Sequence, residues 1–208
     1  MQVFFVETDI YMKYDFDDEK VTPLWKKIVK EVLIWLICIG LSILAAYLIT
    51  HYALEKTNMP DDSMKETLSQ DDSILINKFS YKIKEPKRMD VVVFKKENST
   101  DSNYNIKRII GIPGDTVKIE DGVIYINGTE LKETVKTDVM TNSGLAKDGV
   151  TLAEGEYFVL GDNRNECEDS RFSGVGKVTK DEIIGKAWIR LNSVSIISEL
   201  NRIDEEEE

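Results

Sequence analysis

Histidine is almost missing from this chain. Among 208 residues only His51 occurs, and there are two cysteines, Cys38 and Cys167. One imidazole at the end of an apolar run argues against a zinc enzyme, a Ser-His-Asp triad and a Cys-His dyad, each of which needs histidine beside the reacting group. His51 itself reads as an interfacial residue. Cys38 falls within the apolar run and Cys167 far downstream, so no disulfide is expected between them. No metal or cofactor is implied. Basic residues are also in short supply, 27 against 38 acids for a formal charge of −11. A nucleic-acid binder needs basic surface to displace counterions, so no nucleic-acid partner is expected. Part of the acid excess lies in two solvated runs, Asp15 through Glu19 and Asp204 through Glu208.

Charge is missing altogether between Glu31 and Glu55, where the chain reads VLIWLICIGLSILAAYLITHYAL. At 1.5 Å per helical residue this is roughly 35 Å, enough to cross a hydrocarbon core of about 30 Å. Trp25 and Trp35 near one end, and Tyr47 and Tyr52 near the other, suit the two interfacial belts. A cleaved signal peptide and a buried core helix are the competing readings. The run is too long and starts too far from Met1 for the first, and it is too uniformly apolar for the second. Residues 32–54 are therefore expected to form one membrane-spanning helix, with the lipid bilayer as a partner. Lys26, Lys27 and Lys30 precede it, whereas Glu55, Lys56, Asp61 and Asp62 follow. The positive-inside tendency then puts residues 1–31 in the cytoplasm as a tail and residues 55–208 outside, with 198–208 as an acidic tail.

Beyond the span the pattern turns to short strands. Candidates are residues 73–79, 90–94, 106–110, 115–120, 123–126, 155–161 and 186–191, with 133–150 as a long polar loop and 179–185 as one helical turn. Asp121-Gly122 and Asn127-Gly128 are two-residue hairpin signals. The fold class is mainly β: one N-terminal transmembrane helix, then an antiparallel, partly barrel-like domain over 55–197.

With histidine confined to the membrane edge, a nucleophile needs another base. In Ile106-Lys107-Arg108-Ile109-Ile110-Gly111-Ile112-Pro113-Gly114-Asp115, alternation puts Lys107 on one strand face and Arg108 on the other, so one cation must point at whatever the strand packs on. A lysine there either snorkels to water or does chemistry. Ser63, in Pro60-Asp61-Asp62-Ser63-Met64-Lys65-Glu66-Thr67-Leu68, could equally cap a short helix.

Taken together and in order, these segments resemble the membrane-bound type I signal peptidases, which are Ser/Lys endopeptidases. Ser63-Met64 with Thr67-Leu68 looks like the nucleophile motif, just past the anchor. Met89 through Phe94 resembles the strand motif that follows. Lys107 through Asp115 matches the general-base motif, and Gly161-Asp162-Asn163-Arg164 with Asp169-Ser170-Arg171 matches the last one. The resemblance covers residues 30–195 and implies a signal-peptidase type β catalytic domain, with Ser63 as nucleophile, Lys107 as general base and signal peptides of exported precursors as substrates. A free lysine titrates near 10.4, so at pH 7 only about one in 2,500 is neutral, and an apolar setting such as Ile109 and Val91-Val92-Val93 would be needed to favour the neutral form. The backbone N–H of Ser63 would help hold the oxyanion. Met64, Arg108, Asp162, Arg164, Asp169 and Arg171 are expected to be structural near the site, with Arg108 pairing with a motif aspartate. Three residues depart from the family pattern. Asp61 stands where the family usually has Gly or Ser and where the side chain can complete the oxyanion hole, Glu66 stands where Pro is usual, and Cys167 stands where a serine hydroxyl commonly orients the lysine. The readings left open are a signal peptidase, a related self-cleaving Ser/Lys regulator, and a non-cleaving paralogue that binds signal peptides. The chain is expected to act as a monomer.

Overall fold

The computed structural model describes residues 23–96 and 104–200, so most of the expected N-terminal tail and residues 201–208 of the acidic tail lie outside the described residues. The chain divides into two units, residues 1–45 and 46–208. Helix α1 (Leu24–Tyr52) has 29 residues and no buried side chain. It begins ahead of the apolar run and carries Lys26, Lys27 and Lys30 in its first turns. Its serine and threonine hydroxyls are satisfied internally: Ser42 Oγ donates to Cys38 O at 2.8 Å and Thr50 Oγ1 to Ala46 O at 3.0 Å. A helix apolar on every side, with its hydroxyls turned onto its own carbonyls, fits a membrane anchor.

The second unit is built from short antiparallel strands. In chain order these are β1 (Leu54–Asn58), β2 (Ser73–Asn77), β3 (Val91–Phe94), β4 (Asn105–Gly111), β5 (Thr116–Glu120), β6 (Val123–Ile126), β7 (Thr129–Glu130), β8 (Val150–Thr151), β9 (Glu156–Leu160), β10 (Val178–Thr179), β11 (Ile183–Arg190) and β12 (Ser195–Ile196). A single helical turn, α2 (Ser80–Ile83), links β2 to β3. The larger sheet runs β1-β2-β11-β3-β4-β9-β10, with β12 on β11, and the smaller runs β7-β6-β5-β8.

The strand candidates fall within one to three residues of the observed strands. The two-residue strands β7, β8, β10 and β12 are too short to show as patterns, and β1, with the sequence LEKTN, carries a single apolar residue. Leu54, read as the end of the span, instead opens β1. The turn expected over 179–185 is a 3₁₀ turn at Lys180–Glu182, its start closed by a reciprocal capping box between Thr179 and Glu182, and Ile183 already belongs to β11. Asp121-Gly122 (φ 49° and 81°) and Asn127-Gly128 (φ 54° and 81°) both sit in the left-handed region, as a two-residue hairpin turn requires.

Strand β4 occupies the middle of the larger sheet, paired to β3 on one side and β9 on the other. Every residue from Ile106 to Gly111 is buried. Both faces of β4 are covered: Ile106 belongs to a core with Met64, Leu68, Val91 and Val93, and Ile109 to a second core with Val92, Phe94 and Val159. Neither Lys107 nor Arg108 therefore snorkels to water.

Candidate active site

Lys107 and Arg108 are each 2 % exposed, and the chain segment 63–67 meets them both. Lys107 Nζ lies 2.5 Å from Ser63 Oγ, with Ser63 itself 3 % exposed. Lys107 sits opposite Val92 in the β3–β4 register, so its stem runs along an aliphatic neighbour. Ser63 does not cap a helix. Residues 62–68 form consecutive turns in which Asp62 O accepts from Lys65 N at 3.0 Å and Met64 O from Thr67 N at 2.7 Å. This frees the Ser63 hydroxyl for the lysine.

Arg108 anchors the same segment from the next strand position. Its Nε donates to Asp162 Oδ1 at 2.8 Å and its Nη2 to Asp162 Oδ2 at 2.6 Å. Thr67 Oγ1 donates to Asp162 Oδ2 at 2.5 Å and accepts from Arg108 Nη2 at 3.2 Å. Met89 O takes Arg108 Nη1 at 3.0 Å. With every Arg108 nitrogen directed at an acceptor, a buried charge pair is tolerable. Met64 completes the packing: fully buried, it offers its sulfur to the Asp162 N–H at 3.4 Å.

The last motif forms a clamp beside this one. Asp169, fully buried, accepts Arg171 Nε and Nη2, both at 2.9 Å, and the Gly161 N–H at 3.2 Å. Arg164 donates to Gly161 O at 3.0 Å and pairs with Glu133 through both terminal nitrogens. Arg171 Nη1 reaches Asn142 O at 3.0 Å. The long loop after β7 is thereby tied to the site by two buried arginines.

Cys167 is drawn into this clamp. Its Sγ donates to Asp169 Oδ2 at 3.1 Å and accepts from Arg171 Nη2 at 3.6 Å. Burial, with the Asp169 carboxylate adding to it, pushes its thiol up to about 12. The thiol proton is thus committed to Asp169, and no hydrogen bond joins Cys167 to Lys107 among the described residues. Asp61 is exposed, and its Oδ1 accepts the Ser63 N–H at 3.0 Å. Glu66 is exposed at the surface of the turn.

Three contributors went unassigned in the sequence. Asn163 N–H donates to Ser63 O at 3.1 Å and its Nδ2 to Asp62 O at 3.1 Å, fixing the peptide on either side of the serine. Gly161 allows that approach: a Cβ there would lie 2.6 Å from Ser63 O and 2.5 Å from Cys167 Sγ. Thr67 is the third. All belong to motifs recognised in the sequence, but the contacts that give them a purpose span about a hundred residues and leave no local signal.

The chain that carries this arrangement is similar to known proteins over most of its length. The family model described as signal peptidase, peptidase S26 matches residues 32–192. The signal peptidase I of Leptolyngbya laminosa is 36 % identical over 169 residues, covering 78 % of this chain and 80 % of that protein. Signal peptidase I T of Bacillus subtilis is 35 % identical over 169 residues, covering 77 % and 85 %. The probable signal peptidase I-2 of Synechocystis is 35 % identical over 156 residues, covering 72 % and 68 %. A crystal structure of a signal peptidase I from Enterococcus faecalis is 34 % identical and covers 50 % of this chain and 97 % of that one, with a TM-score of 0.41. On this match, which takes in the uncharged apolar run and every motif of the β unit, the chain belongs to the signal peptidase family, peptidase S26.

Proposed function

We propose that this protein is a membrane-anchored signal peptidase that cleaves exported precursors through Ser63 and Lys107, by way of an acyl-enzyme. The observation that supports this best is the 2.5 Å contact between two buried side chains, Ser63 Oγ and Lys107 Nζ, in a chain whose one histidine lies on α1. The reaction requires the uncharged amine. Lys107 then takes the Ser63 proton as Oγ attacks the scissile carbonyl, and returns it to the departing amine. Water, activated by the same amine, hydrolyses the Ser63 ester. Asp162 and Arg108 hold Thr67, and hence the turn that carries Ser63, while the Asp169–Arg171 pair holds Gly161 against the Ser63 carbonyl. The precursor would bind as an added strand beside the site.

Lys26, Lys27 and Lys30 on the first turns of α1 favour a cytoplasmic N-terminus, with the β unit on the far side of the membrane where cleaved precursors emerge. A non-cleaving, signal-peptide-binding reading draws support from the Asp61 carboxylate on the Ser63 amide. Incubating the detergent-solubilised full chain with a model preprotein separates the two. Cleavage by the wild type, abolished in both Ser63→Ala and Lys107→Ala, is expected. Unimpaired cleavage in either variant would sink the dyad, and no cleavage by the wild type under any condition would favour the binding protein.

A further inference from the structure

The amide that should stabilise the oxyanion already has a partner. Asp61 Oδ1 accepts the Ser63 N–H at 3.0 Å. When Ser63 Oγ attacks a carbonyl, the developing oxyanion has to come within about 2.7–3.1 Å of that same N–H. A carboxylate and an oxyanion are both anionic acceptors, so one donor cannot serve the two, and at such separations their charges repel.

The other side of the residue offers no slack. Ser63 O is fixed by the Asn163 N–H at 3.1 Å, and the Gly161 backbone packs directly behind it. The Asp62–Ser63 peptide, which carries the N–H, is held as well, because Asp62 O accepts Asn163 Nδ2 at 3.1 Å; it stays in place, and the acid must move. Asp61 is free to do so. Asp162 and Asp169 are fully buried, each clasped by an arginine, whereas Asp61 is exposed, and among the described residues it takes part in no ion pair. Rotation about its side-chain bonds carries the carboxylate into water without disturbing the core.

We propose that Asp61 is a positioning residue that acts as a latch: its carboxylate holds the Ser63 N–H in the resting protein, and cleavage runs through the conformer in which it has swung out. This rests on Ser63 and Lys107 being the reacting pair. The latch acts on the step in which the oxyanion forms, so it lowers kcat and leaves substrate binding alone. A hydrogen bond to a charged acceptor that must first be broken corresponds to roughly a tenfold or greater rate penalty.

The test is steady-state cleavage of a model preprotein by the full chain in detergent, comparing wild type with Asp61→Ser and Asp61→Ala. Both variants are expected to raise kcat by about tenfold or more with KM little changed. Asp61→Asn, which keeps the size and one acceptor oxygen but not the charge, is expected to lie between them and the wild type, and it covers the case in which a shorter side chain disturbs the turn. If kcat is unchanged or falls in all three, the latch is wrong. Ser63→Ala is assayed alongside: if it cleaves like the wild type, the dyad itself is wrong, which is a different failure from an inert Asp61.

Discussion

Replacing Asp162 by asparagine tests the buried scaffold more severely than any change at the dyad. The wild-type carboxylate accepts Arg108 Nε at 2.8 Å and Nη2 at 2.6 Å, and Thr67 Oγ1 at 2.5 Å, with Asp162 fully buried and Arg108 2 % exposed. Asparagine offers one oxygen in place of two and turns an N–H₂ toward a guanidinium, so a buried cation loses its counterion. Breaking one partner of a buried pair costs about 3–5 kcal/mol. For a unit of this size each kcal/mol moves Tm by about 2–4 °C, giving a fall of roughly 6–20 °C. Near-UV circular dichroism of the detergent-solubilised chain follows the β unit, since α1 contributes no packed tertiary signal of its own. The double variant Arg108→Met with Asp162→Leu removes both charges and is expected to recover much of the loss, because an apolar pair of similar volume needs no counterion. A Tm drop under about 2 °C in Asp162→Asn, or a double variant whose loss equals the sum of the singles, would refute the claim that this pair holds the turn.

Lys107→Arg places a side chain of similar length that cannot release its proton under working conditions, so cleavage is expected to fall by about 10³-fold or more while precursor binding persists; cleavage near the wild-type rate would contradict the base assignment. Cys167, with its thiol pushed up to about 12, has far less thiolate at pH 8 than a free cysteine. In a Cys38→Ser background, iodoacetamide is expected to label it about 10³-fold more slowly than a free thiol, with the rate climbing only as pH approaches 12; labelling at the free-thiol rate at pH 8 would place the thiol elsewhere. Gly161→Ala forces a Cβ to within 2.6 Å of Ser63 O, and preprotein cleavage is expected to drop at least about tenfold with a stability loss of about 1–3 kcal/mol. A fully active Gly161→Ala protein would show that the serine carbonyl can shift without harm.

The sequence by itself determined the architecture's outline, because the signals that set it are local. A 23-residue stretch without charge is long enough for an apolar spanning helix, which takes it as far as Tyr52, and Asp-Gly and Asn-Gly after alternating apolar residues favour hairpins through their tolerance of positive φ. Through the resemblance of its motifs to the type I signal peptidases, the sequence also pointed to Ser63 and Lys107 as a pair, and the scarcity of histidine agreed with this. What it could not contain is which groups meet across the sheet. That Lys107 and Arg108 are both buried follows from β4 lying between β3 and β9 with a core on each face, a matter of strand order. That Arg108 takes Asp162, and Cys167 takes Asp169, depends on contacts between side chains whose positions are set by the whole fold. The same holds for Asp61. Its place two residues before Ser63 was visible in the chain, but only the closed turn, with the Asp62 and Ser63 carbonyls pinned by Asn163, turns its carboxylate onto the Ser63 amide.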